Sequence, residues 1–137
     1  MKLKNKRIFI VEDDLRNKAI AQMLLERAGA TVSFDRWGLD TIAKLHHFAP
    51  ADVILLDLMF RRGVTGYDIF QQIRGHQEFA DIPIIAVSAS DPSEAIPRTQ
   101  ELGFSGFIAK PVDFHGFCGQ VAQSIAGEPV WQALGRI

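Results

Sequence analysis

Glu12, Asp13, Asp57, Ser88 and Lys110 lie far apart in the chain, yet each stands at or just past the end of a short apolar run. If those runs are neighbouring strands of a parallel sheet, their carboxyl ends assemble the five side chains into one site. Carboxylates crowded together repel one another unless a cation neutralises them. Oxygen-only ligands suit Mg²⁺, which keeps several waters and takes one or two protein carboxylates. A lysine and a hydroxyl facing the acids could bind the remaining oxygens of a phosphoryl group. Mg²⁺ and lysine are the usual means of stabilising charge in phosphoryl transfer, and a carboxylate can serve as the nucleophile. The chemistry this set of residues points to is reversible formation of an aspartyl phosphate on Asp57.

The elements that must position them read as follows. Ile8-Phe9-Ile10-Val11 runs into Glu12-Asp13-Asp14, and Val53-Ile54-Leu55-Leu56 runs into Asp57. Pro83-Ile84-Ile85-Ala86-Val87 leads to Ser88, and Phe107-Ile108-Ala109 leads to Lys110-Pro111. Short continuous apolar runs bounded by polar residues suit strands buried on both faces. Thr31 to Phe34 adds a fifth strand. Between the strands the spacing becomes helical: Leu15, Ala19, Met23, Leu24 and Ala28 fall on one face, with Asp14 as cap and Gly29 as stop. Leu39, Ile42, Ala43 and Leu45 mark a second helix ending before Pro50, and Tyr67, Phe70 and Ile73 a third. A fourth runs from about Ser93 to Leu102, and Asp113 caps a last one carrying Phe114, Phe117, Cys118, Val121 and Ile125 on one face. Alternating strands and helices argue for an α/β fold with a parallel sheet.

The totals agree with one soluble-type domain. A chain of 137 residues buries a core without disulfides or structural metal, and 15 basic against 16 acidic residues leave no overall field favouring nucleic acid or membrane. The single cysteine, Cys118, excludes an internal disulfide and a cysteine zinc site. No apolar run approaches a membrane span, and the run behind the basic N-terminus is too short for a signal peptide, so a cytoplasmic location is expected. Residues 1–126 are expected to form the domain and 127–137 a short tail after a Gly-Glu-Pro break, with no output domain.

Val11-Glu12-Asp13-Asp14, Leu55-Leu56-Asp57-Leu58-Met59, Val87-Ser88-Ala89 and Ala109-Lys110-Pro111, in that order and at those separations, resemble the receiver domains of two-component response regulators, the CheY-like family. The resemblance covers roughly residues 6–126. It implies a flavodoxin-like (βα)5 sandwich with a parallel five-stranded sheet of order 2-1-3-4-5. It implies that Asp57 accepts a phosphoryl group from a histidine of a sensor kinase or a phosphotransfer protein, as in a phosphorelay. Glu12, Asp13, Asp57 and the Met59 backbone carbonyl would hold Mg²⁺, while Ser88 and Lys110 would bind the phosphoryl group. Ser88 and Phe107 would form the switch, through the loop after Ser88 and the helix behind it. The Lys110–Pro111 bond resembles one that is cis in the family, at the residue type where cis costs least.

The chain departs from that pattern in two places. The proline usual four residues after the acceptor is Arg61, and the usual glycine comes one place late as Gly66, an insertion that brings Arg61 and Arg62 near the site. They either shield or attract the phosphoryl group or simply face solvent, and the solvated reading is favoured. Pro97 falls inside the fourth helix, where it removes a backbone bond and clashes with the preceding turn. That helix should start late, near Pro97, or be kinked.

Other features have ordinary readings. His46 and His47 lack a third ligand and read as helix-end residues, and Cys118 reads as a buried structural thiol. Trp131, Leu134 and Ile137 recur every three residues, as either a short docking helix or a disordered end. The leading expectation is a stand-alone receiver that is not an enzyme in its own right beyond its own phosphorylation and dephosphorylation. It would act through a downstream effector protein, without direct DNA or membrane binding, and a homodimer is compatible with this. The alternative is a receiver-like scaffold that binds partners without phosphate. A haloacid-dehalogenase-type phosphatase would want an Asp at Met59, and a flavodoxin would want a hydroxyl- and glycine-rich loop where Glu12, Asp13 and Asp14 stand. No basic patch or spare helix-turn-helix supports DNA binding.

Overall fold

The computed structural model describes residues 1–60 and 63–132. Strands β1 (Arg7–Val11), β2 (Thr31–Asp35), β3 (Val53–Leu56), β4 (Ile84–Ser88), β5 (Gly106–Ala109) and β6 (Val130–Gln132) alternate with helices α1 (Leu15–Arg27), α2 (Thr41–Phe48), α3 (Gly66–Arg74), α4 (Pro92–Leu102) and α5 (Phe117–Ile125). The sheet order is β2-β1-β3-β4-β5-β6, with every pairing parallel. The expected order 2-1-3-4-5 is therefore present and extended by one strand.

Strand side chains alternate between two cores because successive residues point to opposite faces. Phe9, Val11, Ile54, Leu56, Ala86 and Phe107 pack on one face with α2, α3 and α4 through Leu45, Ile69, Phe70 and Ala95. Ile8, Ile10, Val53, Leu55, Ile85, Val87 and Ile108 pack on the other with Leu25 of α1 and Phe117 and Val121 of α5. Burial on both faces is why the central strands read as unbroken apolar runs rather than alternating ones.

Four local expectations need correction. On α1 the buried side is Leu25, with Ala21, Leu24 and Ala28 packed against the core. Leu15 and Met23 are 50% and 39% exposed, and Ala19 also faces outward. Two apolar stripes overlap along this helix and the spacing runs them together: Leu24 and Ala28 pack inward as expected, while Leu15, Ala19 and Met23 do not. Leu39 precedes α2 and is exposed. α4 begins at Pro92, capped by the Asp91 side chain on the Ser93 amide, and runs through Pro97. The cost is one helical bond, that to the Ser93 carbonyl, not a late start. α5 begins at Phe117, not Asp113. The Asp113 carboxylate accepts from the His115 amide and its carbonyl from Gly116 and Phe117, so Asp113 holds a turn in which Phe114 is left exposed.

The tail also differs. Val130–Gln132 is a strand, with Gly106, Phe107 and Ile108 of β5 in register with Val130, Trp131 and Gln132. Leu134 and Ile137 lie outside the described residues. His46 ends α2 as expected and pairs with Glu78 at 2.9 Å. Cys118 is half-buried, its thiol donating to the Leu24 carbonyl at 3.3 Å.

Candidate functional site at the strand ends

The parallel ladder sets where each site residue falls. Asp57 follows β3 and its amide donates to the Val11 carbonyl, which places it beside Glu12 and Asp13 at the end of β1. Lys110 follows β5 and its amide donates to the Ser88 carbonyl, which ties the ends of β4 and β5 together. Residues separated in sequence by a helix thus become neighbours across the ladder. Each of the predicted side chains Glu12, Asp13, Asp57, Ser88 and Lys110 lies on this edge.

Glu12, Asp13 and Asp57 are all buried, and each offers a carboxylate oxygen within 4.8 Å of the others. Lys110 is 12% exposed and reaches into the cluster, donating to Asp57 Oδ2 at 3.1 Å and to Glu12 Oε1. Backbone amides supply further donors: Met59 to Asp57 Oδ1 at 3.2 Å and Asp14 to Glu12 Oε2 at 3.1 Å. Lys110 thus holds two of the three buried carboxylates, Glu12 and Asp57. Burial, with the Asp57 charge added and Lys110 opposing, pushes the Glu12 carboxyl up from 4.5 to about 7. Burial would lower the Lys110 ammonium, but Asp57 and Glu12 outweigh it and hold its pKa above the usual value. A crowded all-oxygen donor set with one carboxyl resisting ionisation has the composition of a site for a hard divalent cation.

Gly66 shapes the wall next to Asp57. A Cβ there would lie 2.1 Å from the Asp57 carbonyl oxygen and 2.6 Å from Leu58 Cα, so the start of α3 can approach β3 this closely only with glycine. Thr65 caps α3 in a reciprocal box with Asp68, and the Gly66 amide donates to the Leu58 carbonyl at 2.9 Å. The late glycine of the sequence pattern is thus a packing requirement. Arg61 and Arg62, between Asp57 and this cap, lie outside the described residues.

Ser88 is fully buried, and its hydroxyl is engaged with Ser90: the two Oγ atoms are 2.9 Å apart, and the Ser90 amide donates to Ser88 Oγ. Sequence reasoning placed Ser88 but not this partner, whose only signal was a second serine two positions on. Arg36 was also missed; its guanidinium donates to the Asp13 carbonyl at 3.2 Å and stacks over Trp37. Phe107 is fully buried, and the Lys110–Pro111 bond is cis as expected. Behind the site, a mostly apolar cavity of about 80 Å³ is lined by Ile10, Ile20, Leu55, Val87, Phe114 and Phe117 among others. Among the described residues, no helix is long and apolar enough to cross a membrane.

Comparison with known proteins agrees with this arrangement. Residues 8–122 match the family model described as the response regulator receiver domain. The polar-differentiation response regulator DivK of Brucella ovis is 30% identical over 114 residues, covering 82% of this chain and 89% of that protein. Among solved structures, the signal receiver domain of a DNA-binding response regulator from Colwellia psychrerythraea superposes with a TM-score of 0.78 at 26% identity, covering 89% of this chain and 99% of that one. The chemotaxis response regulator CheY4 of Vibrio cholerae has the same fold, with a TM-score of 0.78 at 20% identity over 88% of this chain and 99% of its own. The sheet order, the three acids at its edge and the match across most of the chain have one reading: the protein belongs to the response regulator receiver domains of two-component signalling.

Proposed function

We propose that this chain takes a phosphoryl group onto Asp57 from a phosphohistidine of a sensor kinase or phosphotransfer protein, and passes the signal on by protein contacts. The observation that carries this reading is Asp57 itself, a buried carboxylate with one oxygen on the Lys110 ammonium and the other on the Met59 amide. That pairing orients the carboxylate and leaves lone pairs for attack on phosphorus. A new O–P bond forms as the P–N bond to the donor imidazole breaks, and the imidazole leaves with the electron pair. Hydrolysis of the acyl phosphate returns Asp57 and inorganic phosphate. These are steps the chain undergoes itself, without turning over a separate substrate.

Glu12, Asp13, Asp57 and the Met59 carbonyl are the groups that would hold Mg²⁺, whose charge would offset that of the phosphoryl oxygens. Lys110 stays protonated and contributes a second positive charge. The Ser88 hydroxyl, which faces Ser90, supplies a further donor. Leu15, Met59 and Phe114, on the segments that follow β1, β3 and β5, are each exposed apolar side chains, which suits a protein donor better than a solvated small molecule.

The test is thermal unfolding with Mg²⁺ and beryllofluoride, an analogue of the phosphoryl group. The wild-type Tm should rise in a ligand-dependent way, and Asp57→Asn should show no rise. An equal rise in both proteins would place the ligand elsewhere and defeat this reading.

A further inference from the structure

Strand β6 extends a sheet whose site-bearing strands end at β5, and the chain is adapted to receive it. A Cβ on Gly106 would lie 2.4 Å from the Val130 carbonyl oxygen, so β5 admits this neighbour only because residue 106 is glycine. Gly127 turns the backbone at φ +87° after α5, which directs the chain back along β5. Val130 is buried in the α1–α5 core. Trp131 is in register with Phe107 and packs against the opposite core, to which Phe107 belongs. The strand therefore closes the sheet edge on both faces and stands directly beside Phe107.

Among the described residues, β6 is also the shortest strand, three residues paired with β5 alone. Elements with few contacts at a sheet edge open at the lowest free energy. Its host β5 leads straight into Lys110, which is bound to Asp57 and Glu12, and the Lys110 amide is bound to Ser88. A phosphoryl group on Asp57 would give Lys110 and Ser88 new oxygens to bind, in place of the contacts Lys110 makes with Asp57 and Glu12. Lys110 follows β5 directly, so a change in what it binds bears on the end of that strand. The contacts of β6 are made with β5 while Lys110 is held by Asp57 and Glu12.

We propose that β6 is an autoinhibitory strap: by pairing with β5 and packing Trp131 beside Phe107, it holds β5 in the resting arrangement and opposes the phosphorylated one. The inference rests on Asp57 being the phosphoacceptor. Coupling of this kind is reciprocal, so loading Asp57 loosens β6, and loosening β6 favours loading of Asp57.

The experiment uses the full chain, with beryllofluoride and Mg²⁺ as the probe. In the wild type, amide hydrogen exchange at residues 130–132 should quicken when the probe binds. Gly106→Ala, which forces β6 away from β5, should bind beryllofluoride about fivefold or more tightly than wild type. Trp131→Ala, at the sheet margin and outside the site, should move in the same direction should Gly106→Ala fold poorly. Equal or weaker binding by the variants, with unchanged exchange in the wild type, overturns the strap while leaving Asp57 as the acceptor. Failure of the wild type to bind the probe at all removes both readings.

Discussion

Glu12 carries a carboxyl whose charge can change near neutral pH. Its carboxyl is pushed from 4.5 to about 7 by burial first and by Asp57 second, against the pull of Lys110. Between those limits the folded protein holds a proton that the unfolded chain has lost. Its contribution to stability without metal is therefore complete below about 4.5 and disappears as pH rises through about 7. Cation binding demands the carboxylate, so it must expel that proton. Mg²⁺ affinity is expected to fall as pH drops below about 7, approaching tenfold per unit, in calorimetric titrations. Glu12→Gln should flatten the dependence over the same range, and a wild-type affinity independent of pH there would contradict the assignment. The site residues were legible in the sequence because each ends an apolar run, which in a parallel sheet is a statement about position. The Ser88–Ser90 contact was not, because a hydroxyl's partner depends on how the following turn folds.

At the scale of elements, the start of α3 is the most constrained junction around the site. Gly66 lets the Thr65–Asp68 cap sit against β3, where a single added Cβ would meet the Asp57 and Leu58 backbone. Backbone cannot give way as a flexible side chain does, so Gly66→Ala should destabilise by about 2–3 kcal/mol, measured by urea unfolding. A loss below about 0.5 kcal/mol, within the range of an ordinary surface change, would mean that the close approach is not maintained in solution. The strands were the most legible elements, since Ile8 to Val11, Val53 to Leu56 and Ile84 to Val87 admit few other readings. Helix faces were less so. Leu15, Ala19 and Met23 form as regular a stripe as Ala21, Leu24, Leu25 and Ala28, and only the sheet decides which is covered. The start of α5 was misplaced because Asp113 has the chemistry of a cap and uses it on a turn.

At the scale of the whole molecule, sheet order makes the site. Placing β1 between β2 and β3 brings Glu12 and Asp13 against Asp57, and the β4–β5 pairing brings Lys110 across to the same cluster. The sixth strand was hidden in the sequence because Val130-Trp131-Gln132 has too few residues for a strand pattern, and Trp131, Leu134 and Ile137 share a spacing that suits a helix. Its pairing is a tertiary effect, allowed by Gly106 on another strand. We propose that this assembly makes Asp57 a phosphoacceptor. It is tested most directly by the intact mass of the protein after incubation with acetyl phosphate, with and without Mg²⁺, beside Asp57→Asn. One added phosphoryl group is expected on the wild type in the presence of Mg²⁺, and none without the metal or without Asp57. A folded wild-type protein that gains no mass, or a variant that gains as much as the wild type, would contradict it.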